Sequence, residues 1–236
     1  MRIFLIAALC IGIVIALVVS LSEKDFDKGV AAAQRGDFAT AFKEWRPLAE
    51  EGHAFAQKNL GVMYYKGEGV AKDNKKAAYW YALAAEQGVA AAQYNLGLMY
   101  ASGEGVGQDD KQAVKWYRLA AEQEHRNARY NLGLMYAKGK GVAQDYKRAI
   151  KWLRLSAETG HIRAQFSLAS MYYKGEGVAQ DHKEAAYWFR LAAEQGHAAA
   201  QYYLGLMYAE GEGVAQDHKE VSVLIKLFFA SRFDQL

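Results

Sequence analysis

The sequence predicts an all-α fold of stacked helix hairpins, preceded by an apolar helix at the N-terminus. The chain of 236 residues repeats itself every 36 residues without a gap, in units that begin at Ala56, Ala92, Ala128, Ala164 and Ala200. Five of the six methionines occupy one position of the unit, and four of the five tryptophans occupy another. With 22 glycines and one proline, the composition favours many helices separated by glycine turns.

The spacing of apolar residues in each unit predicts two helices. Ala92, Leu96 and Met99 recur at helical spacing and give the first helix of the second unit, helix A, one apolar face. Helix B follows, with Val114 and Tyr117 in its apolar stripe. An aspartate column is expected to cap helix B, and its members are Asp73, Asp109, Asp145, Asp181 and Asp217. The methionine and tryptophan columns are interpreted as core that fills the space between helices.

A glycine phrase joins the two helices of each unit. It reads GEGV at 67–70, 103–106, 175–178 and 211–214, and GKGV at 139–142. Paired glycines before a helix can begin a phosphate-binding loop, but that site needs a preceding strand, and a P-loop also needs a Lys-Ser/Thr pair. Neither is present, so the phrase is interpreted as a turn whose first glycine ends helix A. No cofactor is predicted.

Upstream of the units, residues 28–55 predict one more helix pair with a shorter connection, RGDF. This pair is expected to cap the N-terminal end of the array. The predicted organisation is therefore a signal peptide or signal anchor at 1–22, here called the address segment, a capping hairpin at 23–55 and five units over 56–236. The unit boundaries are 56–91, 92–127, 128–163, 164–199 and 200–236, the last unit being degenerate.

The address segment contains an apolar run from Ile3 to Val19, which follows the single basic residue Arg2. Its seventeen residues fall between the cores of signal peptides, about 7–15 residues, and spanning helices, roughly 17–25 residues. Residues 20–22, Ser-Leu-Ser, offer a weak cleavage site, so a cleaved signal peptide and a retained signal anchor both stay open. The charges on either side favour a domain outside the cytoplasm.

Composition excludes several classes of function. The net charge is +3 and the charged residues of both signs are interspersed, so nucleic acid is not expected as a partner. Cys10, the only cysteine, lies in the apolar run, and no intrachain disulfide can form. No candidate catalytic constellation departs from the repeat, which indicates a protein that is not an enzyme.

Histidines recur at the junctions between units, at His53, His125, His161 and His197. Equivalent positions of adjacent helix hairpins lie about 10 Å apart, whereas zinc–nitrogen bonds measure roughly 2 Å. One metal ion therefore cannot bridge two of them, and no metal site is predicted. The histidines are expected to be solvated or to cap helices.

The unit AQYNLGLMYASGEGVGQDDKQAVKWYRLAAEQ resembles the Sel1-like repeat, and residues 28–55 resemble its tetratricopeptide cousin. The resemblance covers nearly all of the chain after the address segment. It implies a right-handed α-solenoid, one tetratricopeptide-like pair plus five Sel1-like repeats, that serves as a scaffold or adaptor for a protein or peptide partner. Bacterial members are often exported, so the expected location is membrane-anchored facing the periplasm, or the periplasm after cleavage.

A second function from another class stays open, an envelope enzyme or enzyme modulator that acts on cell-wall or β-lactam-like ligands. The branch of the family that is reported to bind β-lactams carries paired cysteines in its units. Here the repeats contain no cysteine, which speaks against that activity.

By analogy with tetratricopeptide hairpins, helix A lines a concave groove where the partner is expected to bind. Tyrosine rings beside asparagine amides suit the recognition of a peptide, although packing between repeats is the alternative at each position. The predicted groove residues are Asn59, Tyr94, Asn95, Leu98, Tyr130, Asn131, Leu134, Phe166, Tyr173, Tyr202 and Tyr203.

The last unit departs from the repeat after Glu220, where VSVLIKLFFASRFDQL replaces the expected helix B. Bulky side chains at positions that are small in the other units predict that the array stops here. The outer face of this last helix is predicted to dock a second copy, a partner or a bilayer through Leu224, Leu227, Phe228 and Phe229. The alternative is that the unit is merely degenerate.

Overall fold

The computed structural model describes residues 23–233, and all regular structure within them is helical. The first helix, α1, covers 23–34 of the described residues. The others are α2 (Phe38–Glu50), α3 (Ala54–Lys66), α4 (Asn74–Glu86), α5 (Ala90–Ser102), α6 (Asp110–Glu122), α7 (Arg126–Lys138), α8 (Tyr146–Ala157), α9 (Ile162–Lys174), α10 (His182–Glu194), α11 (Ala198–Glu210) and α12 (His218–Phe233).

The helices form two compact bodies, each of several repeats, which divide between Asp109 and Asp110. They are called here the N-terminal unit and the C-terminal unit. In the N-terminal unit α2 packs on α3, α3 on α4 and α4 on α5. In the C-terminal unit each helix from α6 to α12 packs on the next one along the chain. Within each unit every helix therefore packs against its sequence neighbours, as expected when a hairpin cannot bury its apolar face alone.

The glycine phrase is a turn, as the sequence predicts. Its first glycine adopts the left-handed conformation in every repeat, and at Gly67 (φ 78°) the N–H donates to the Met63 carbonyl at 2.8 Å. The second glycine lets the loop approach the start of an earlier helix. A Cβ atom on Gly141 would lie 2.1 Å from the Asp110 carbonyl oxygen, so only glycine fits this position.

Aspartates cap helix B where the sequence predicts them. The Asp73 carboxylate accepts the N–H of Lys76 at 3.0 Å, and the Asp145 carboxylate accepts that of Arg148 at 2.9 Å. Asp181 and Asp217 make the same bonds in the later repeats. Each carboxylate satisfies a backbone donor that has no partner inside the helix.

The core consists of the predicted columns of alanine, leucine, methionine and tryptophan. All five column methionines are buried, while Trp116 and Trp188 are buried and Trp80 and Trp152 half-buried. A small residue lets helix A approach helix B closely. A Cβ atom on Gly61 would come within 2.5 Å of the Tyr81 ring, so the absence of a side chain there allows the ring to pack.

The N-terminal hairpin consists of α1 and α2, joined by residues 35–37. Asp37 caps α2 through the N–H of Thr40, and the Trp45 indole donates to the Phe26 carbonyl at 3.1 Å. The predicted address segment at 1–22 lies outside the described residues. Among the residues that are described, the helices are too short or too polar to cross a bilayer.

Candidate functional site

One face of the N-terminal unit contains an open cleft of about 290 Å³, here called the α3–α5 cleft. Two of the predicted groove residues, Asn95 and Leu98, line it. Leu98 exposes 39% of its surface although it is aliphatic. The remaining walls come from α3, α4, α5 and the following loop, and they are Tyr65, Tyr81, Met99, Ser102 and Glu104.

Hydrogen bonds fix the polar groups of this cleft. The Tyr65 hydroxyl is hydrogen-bonded to the Glu104 carboxylate, and this bond is the main reason that the pKa of Tyr65 is raised. Burial raises the pKa of Tyr81 above its ordinary value, and its hydroxyl bonds to the Asn95 side chain. The cleft therefore presents an apolar floor with an amide, a hydroxyl and a carboxylate held in place.

In the C-terminal unit, several predicted groove residues pack against the histidines that cap the next helix A. The ring of Tyr130 stacks on His161 with centroids 4.7 Å apart, and Phe166 stacks on His197 at 4.6 Å. Tyr130 and Phe166 are both half-buried. Their role in binding stays a prediction, since ring stacking already accounts for their aromatic character.

The last repeats continue this stack. Tyr203 lies parallel to Phe189 at 5.3 Å, and Tyr173 stacks on His182 at 5.2 Å. Tyr202 differs from them, because half of its surface is exposed and its ring reaches Phe228 at 5.9 Å.

The other predicted groove residues are only partly accessible. Asn59 lines a shallow depression against α1, beside Trp45 and Lys58, and burial lowers the pKa of Lys58. The remaining three are half-buried, and they are Tyr94, Asn131 and Leu134. Of the eleven predicted residues, the cleft therefore unites only Asn95 and Leu98.

The predicted docking face on α12 is partly exposed. Leu227 and Phe229 expose about half of their surfaces, and Phe228 is half-buried against Tyr202. Leu224 is the exception, because only 7% of its surface is exposed and its Cβ atom packs near Gly205 inside the hairpin. Leu224 therefore does not belong to the outer face of the helix. Val223 and Ile225 are exposed there instead.

The junction histidines cap helix A. In each case Nδ1 accepts a backbone N–H three residues further on, at 3.1–3.3 Å. The four caps are His53, His125, His161 and His197. Burial is the main cause that lowers the pKa of His125, His161 and His197, so the neutral ring is favoured.

Two polar columns join neighbouring helices and were not recognised in the sequence. A buried side chain near the start of helix A donates to a carbonyl at the end of the preceding helix B, as Gln57 does to Ala49 at 3.0 Å. Its repeats are Gln93, Arg129, Gln165 and Gln201. An arginine column donates to tyrosine hydroxyls eighteen residues on, as Arg118 does to Tyr136 at 3.0 Å. The recurrence of both columns every 36 residues is the sequence signal that indicates them.

Metal ligation has no candidate group in the part of the chain that the structure describes. No group of three or more His, Cys, Asp or Glu side chains in that part is placed to hold a metal ion.

Comparison with known proteins identifies the repeat. A sequence profile of the Sel1 repeat matches the chain in five consecutive segments, at 54–89, 90–125, 126–161, 162–197 and 198–220. No curated protein sequence matches the chain.

Solved structures share the same fold. A Sel1 repeat protein from Oxalobacter formigenes is 34% identical, with a TM-score of 0.82 over 87% of this chain and 85% of its own. A protective antigen of uropathogenic Escherichia coli, described as having an SLR fold, is 36% identical with a TM-score of 0.86 over 89% of this chain. The chain spans only 46% of that antigen.

A more distant structure, the immunity protein PA5088 from Pseudomonas aeruginosa, is 21% identical with a TM-score of 0.54, over 88% of this chain and 82% of its own. At that identity it is similar in fold alone. The predicted all-α solenoid of stacked hairpins is thus confirmed, and the chain belongs to the Sel1 repeat family.

Proposed function

We propose that this chain is a scaffold that binds an extended segment of a partner protein, and that the α3–α5 cleft receives a side chain of that segment. Sel1 repeat proteins generally serve as scaffolds for protein–protein interaction and not as enzymes. The exposed Leu98, set among fixed polar groups, is the observation that carries the proposal. An apolar side chain from the partner would cover Leu98, while Asn95 and Glu104 bond to its backbone.

The shape of the cleft supports a peptide. It is an open depression beside the exposed Leu98, so one side chain of an extended segment can enter it while the rest of the segment lies along the surface. No feature of the cleft favours the alternative of a cell-wall or β-lactam-like ligand.

Replacing Leu98 with glutamate is expected to lower partner binding at least tenfold, since it puts a charge where an apolar contact forms. Tagged full-length protein, produced in its native cells, is isolated under mild cross-linking and its partners are quantified by mass spectrometry. The matched control is Tyr79→Glu, because Tyr79 on α4 is 58% exposed and lies outside the cleft.

The control variant should retain the partner, and circular dichroism should show equal helix content in both variants. A stoichiometric partner that stays bound to Leu98→Glu would remove the cleft from the binding surface.

We further propose that the apolar segment Ile3–Val19 tethers the scaffold to a membrane. Its length and weak cleavage site favour retention. Full-length protein made in a bacterial host is expected in the membrane fraction, with Met1 or a blocked N-terminus on Edman sequencing. A soluble periplasmic protein that starts at Glu23 would show that the segment is a cleaved signal peptide instead.

A further inference from the structure

A pocket of about 670 Å³ opens at the C-terminal end of the C-terminal unit, between α10, α11 and α12. We call it the terminal pocket. Its charged walls come from Arg190, Glu194 and Glu220. Tyr208 supplies a ring and hydroxyl, and Leu224 and Leu227 supply apolar surface. It is separate from the α3–α5 cleft.

One repeat earlier, the equivalent position is filled by an indole ring. Trp188 is only 4% exposed, and its Nε1 donates to the Glu184 carboxylate at 3.0 Å. The Arg154 guanidinium lies 5.9 Å from the centroid of the ring. Arg154 also donates to the Tyr172 hydroxyl and pairs with Glu184 at 3.2 Å. Arginine, carboxylate and tyrosine therefore form a socket around the tryptophan.

The terminal pocket retains the residues of that socket without the ring. Arg190, Tyr208 and Glu220 stand 36 residues after Arg154, Tyr172 and Glu184, and Leu224 stands in the place of Trp188. Arg190 donates to the Tyr208 hydroxyl at 2.9 Å, as Arg154 does to Tyr172. Leucine has no aromatic face for the guanidinium and no N–H for the carboxylate, so both groups are left available on the pocket wall.

We infer that the terminal pocket binds a tryptophan side chain of a partner protein. Arg190 would lie over the indole ring, and the Glu220 carboxylate would accept its N–H, as happens around Trp188. The exposed Val223 and Leu227 at the rim would contact the neighbouring residues of the partner.

A second copy of this chain is a poor source of the ring. The chain has five tryptophans, and none of them is exposed in its own fold. Trp45, Trp116 and Trp188 are buried, and Trp80 and Trp152 are half-buried. We therefore assign the occupant to a different protein.

The first experiment measures binding of N-acetyl-L-tryptophanamide to the full-length protein in detergent, followed by NMR of the Leu224 and Leu227 methyl groups. Saturable shifts are expected, with binding roughly tenfold tighter than that of N-acetyl-L-leucinamide. The 1-methyl derivative lacks the indole N–H, so it should bind several times more weakly. Absence of saturation, or equal affinity for the leucine amide, would overturn the inference.

The second experiment fills the pocket from within. Leu224→Trp should abolish binding and raise the melting temperature by roughly 2–4 °C, because the new indole re-forms the socket of the preceding repeat. Leu224→Met is the size-matched control and should still bind. Unchanged binding in Leu224→Trp, or a lowered melting temperature, would contradict the assignment. Glu220→Gln, at an exposed position, should fold normally and weaken binding several times; unaltered affinity there would count against the assignment too.

Discussion

Gly141→Ala is expected to lower the free energy of unfolding by at least about 3 kcal/mol. Gly141 has a φ of 67°, which an L-residue adopts only with strain. In addition, a Cβ atom there would lie 2.1 Å from the Asp110 carbonyl oxygen and 2.8 Å from the Lys111 nitrogen. These are backbone atoms at the start of α6, so they cannot turn aside as a flexible side chain could. The loop must separate from the helix or the helix must shift.

Gly160→Ala separates the two causes. Gly160 has a φ of 80°, but a Cβ atom there would meet nothing within 4 Å. Only the conformational strain applies, so this variant should lose roughly 1–2 kcal/mol. Urea unfolding followed by circular dichroism gives both values. Equal losses in the two variants would mean that the close approach at Gly141 has no energetic consequence.

The protein is expected to lose stability as the pH falls from 7.5 to 5, because three helix caps require neutral histidine. Burial lowers the pKa of His125, His161 and His197 in the folded chain. The stabilisation is therefore fully present above the unfolded pKa of about 6.5. It is lost as the pH falls through the lowered pKa of the folded state.

The hydrogen-bond geometry of the caps also predicts that stability falls as the pH falls. Protonation of Nδ1 removes the acceptor for the backbone N–H, such as that of Ala164 at 3.1 Å from His161. It also places a positive charge at a helix N-terminus, where the helix dipole disfavours it. Arg126 and Arg163 act in the same direction, since they lower the pKa of His161. Each lost cap costs about 0.5–2 kcal/mol.

The measurement is the melting temperature at pH 5 and pH 7.5 for the wild type and for a variant with all three histidines changed to asparagine. Asparagine caps a helix but does not titrate, so the variant should lose much less stability between these values. Hydrogen bonds lower the pKa of the cap Asp73 from its ordinary value near 4, so this cap stays charged between pH 5 and pH 7.5. A variant with the same pH dependence as the wild type would show that the histidines are not responsible.

Contacts between aromatic rings that are distant along the chain are not predictable from the sequence alone. Tyr130 lies on α7 and His161 caps α9, 31 positions further along the chain, so nothing local in the sequence indicates that they touch. The same aromatic column was predicted to face a partner. In the C-terminal unit much of it packs on other rings instead, whereas Leu98 in the N-terminal unit remains exposed beside a cleft.

The hairpins, their turns and their caps can be predicted from the sequence alone, because these depend on interactions over a few residues. Gly67 ends a helix and Asp73 begins one for reasons of backbone conformation and hydrogen bonding within a single turn. Which side chains are left uncovered depends instead on how the helices pack against one another. That Leu224 replaces a tryptophan is visible in the sequence, but the pocket beside it arises from Arg190, Tyr208 and Glu220 on three different helices. Exposure and cavity volume are properties of packed helices, and no single helix contains them.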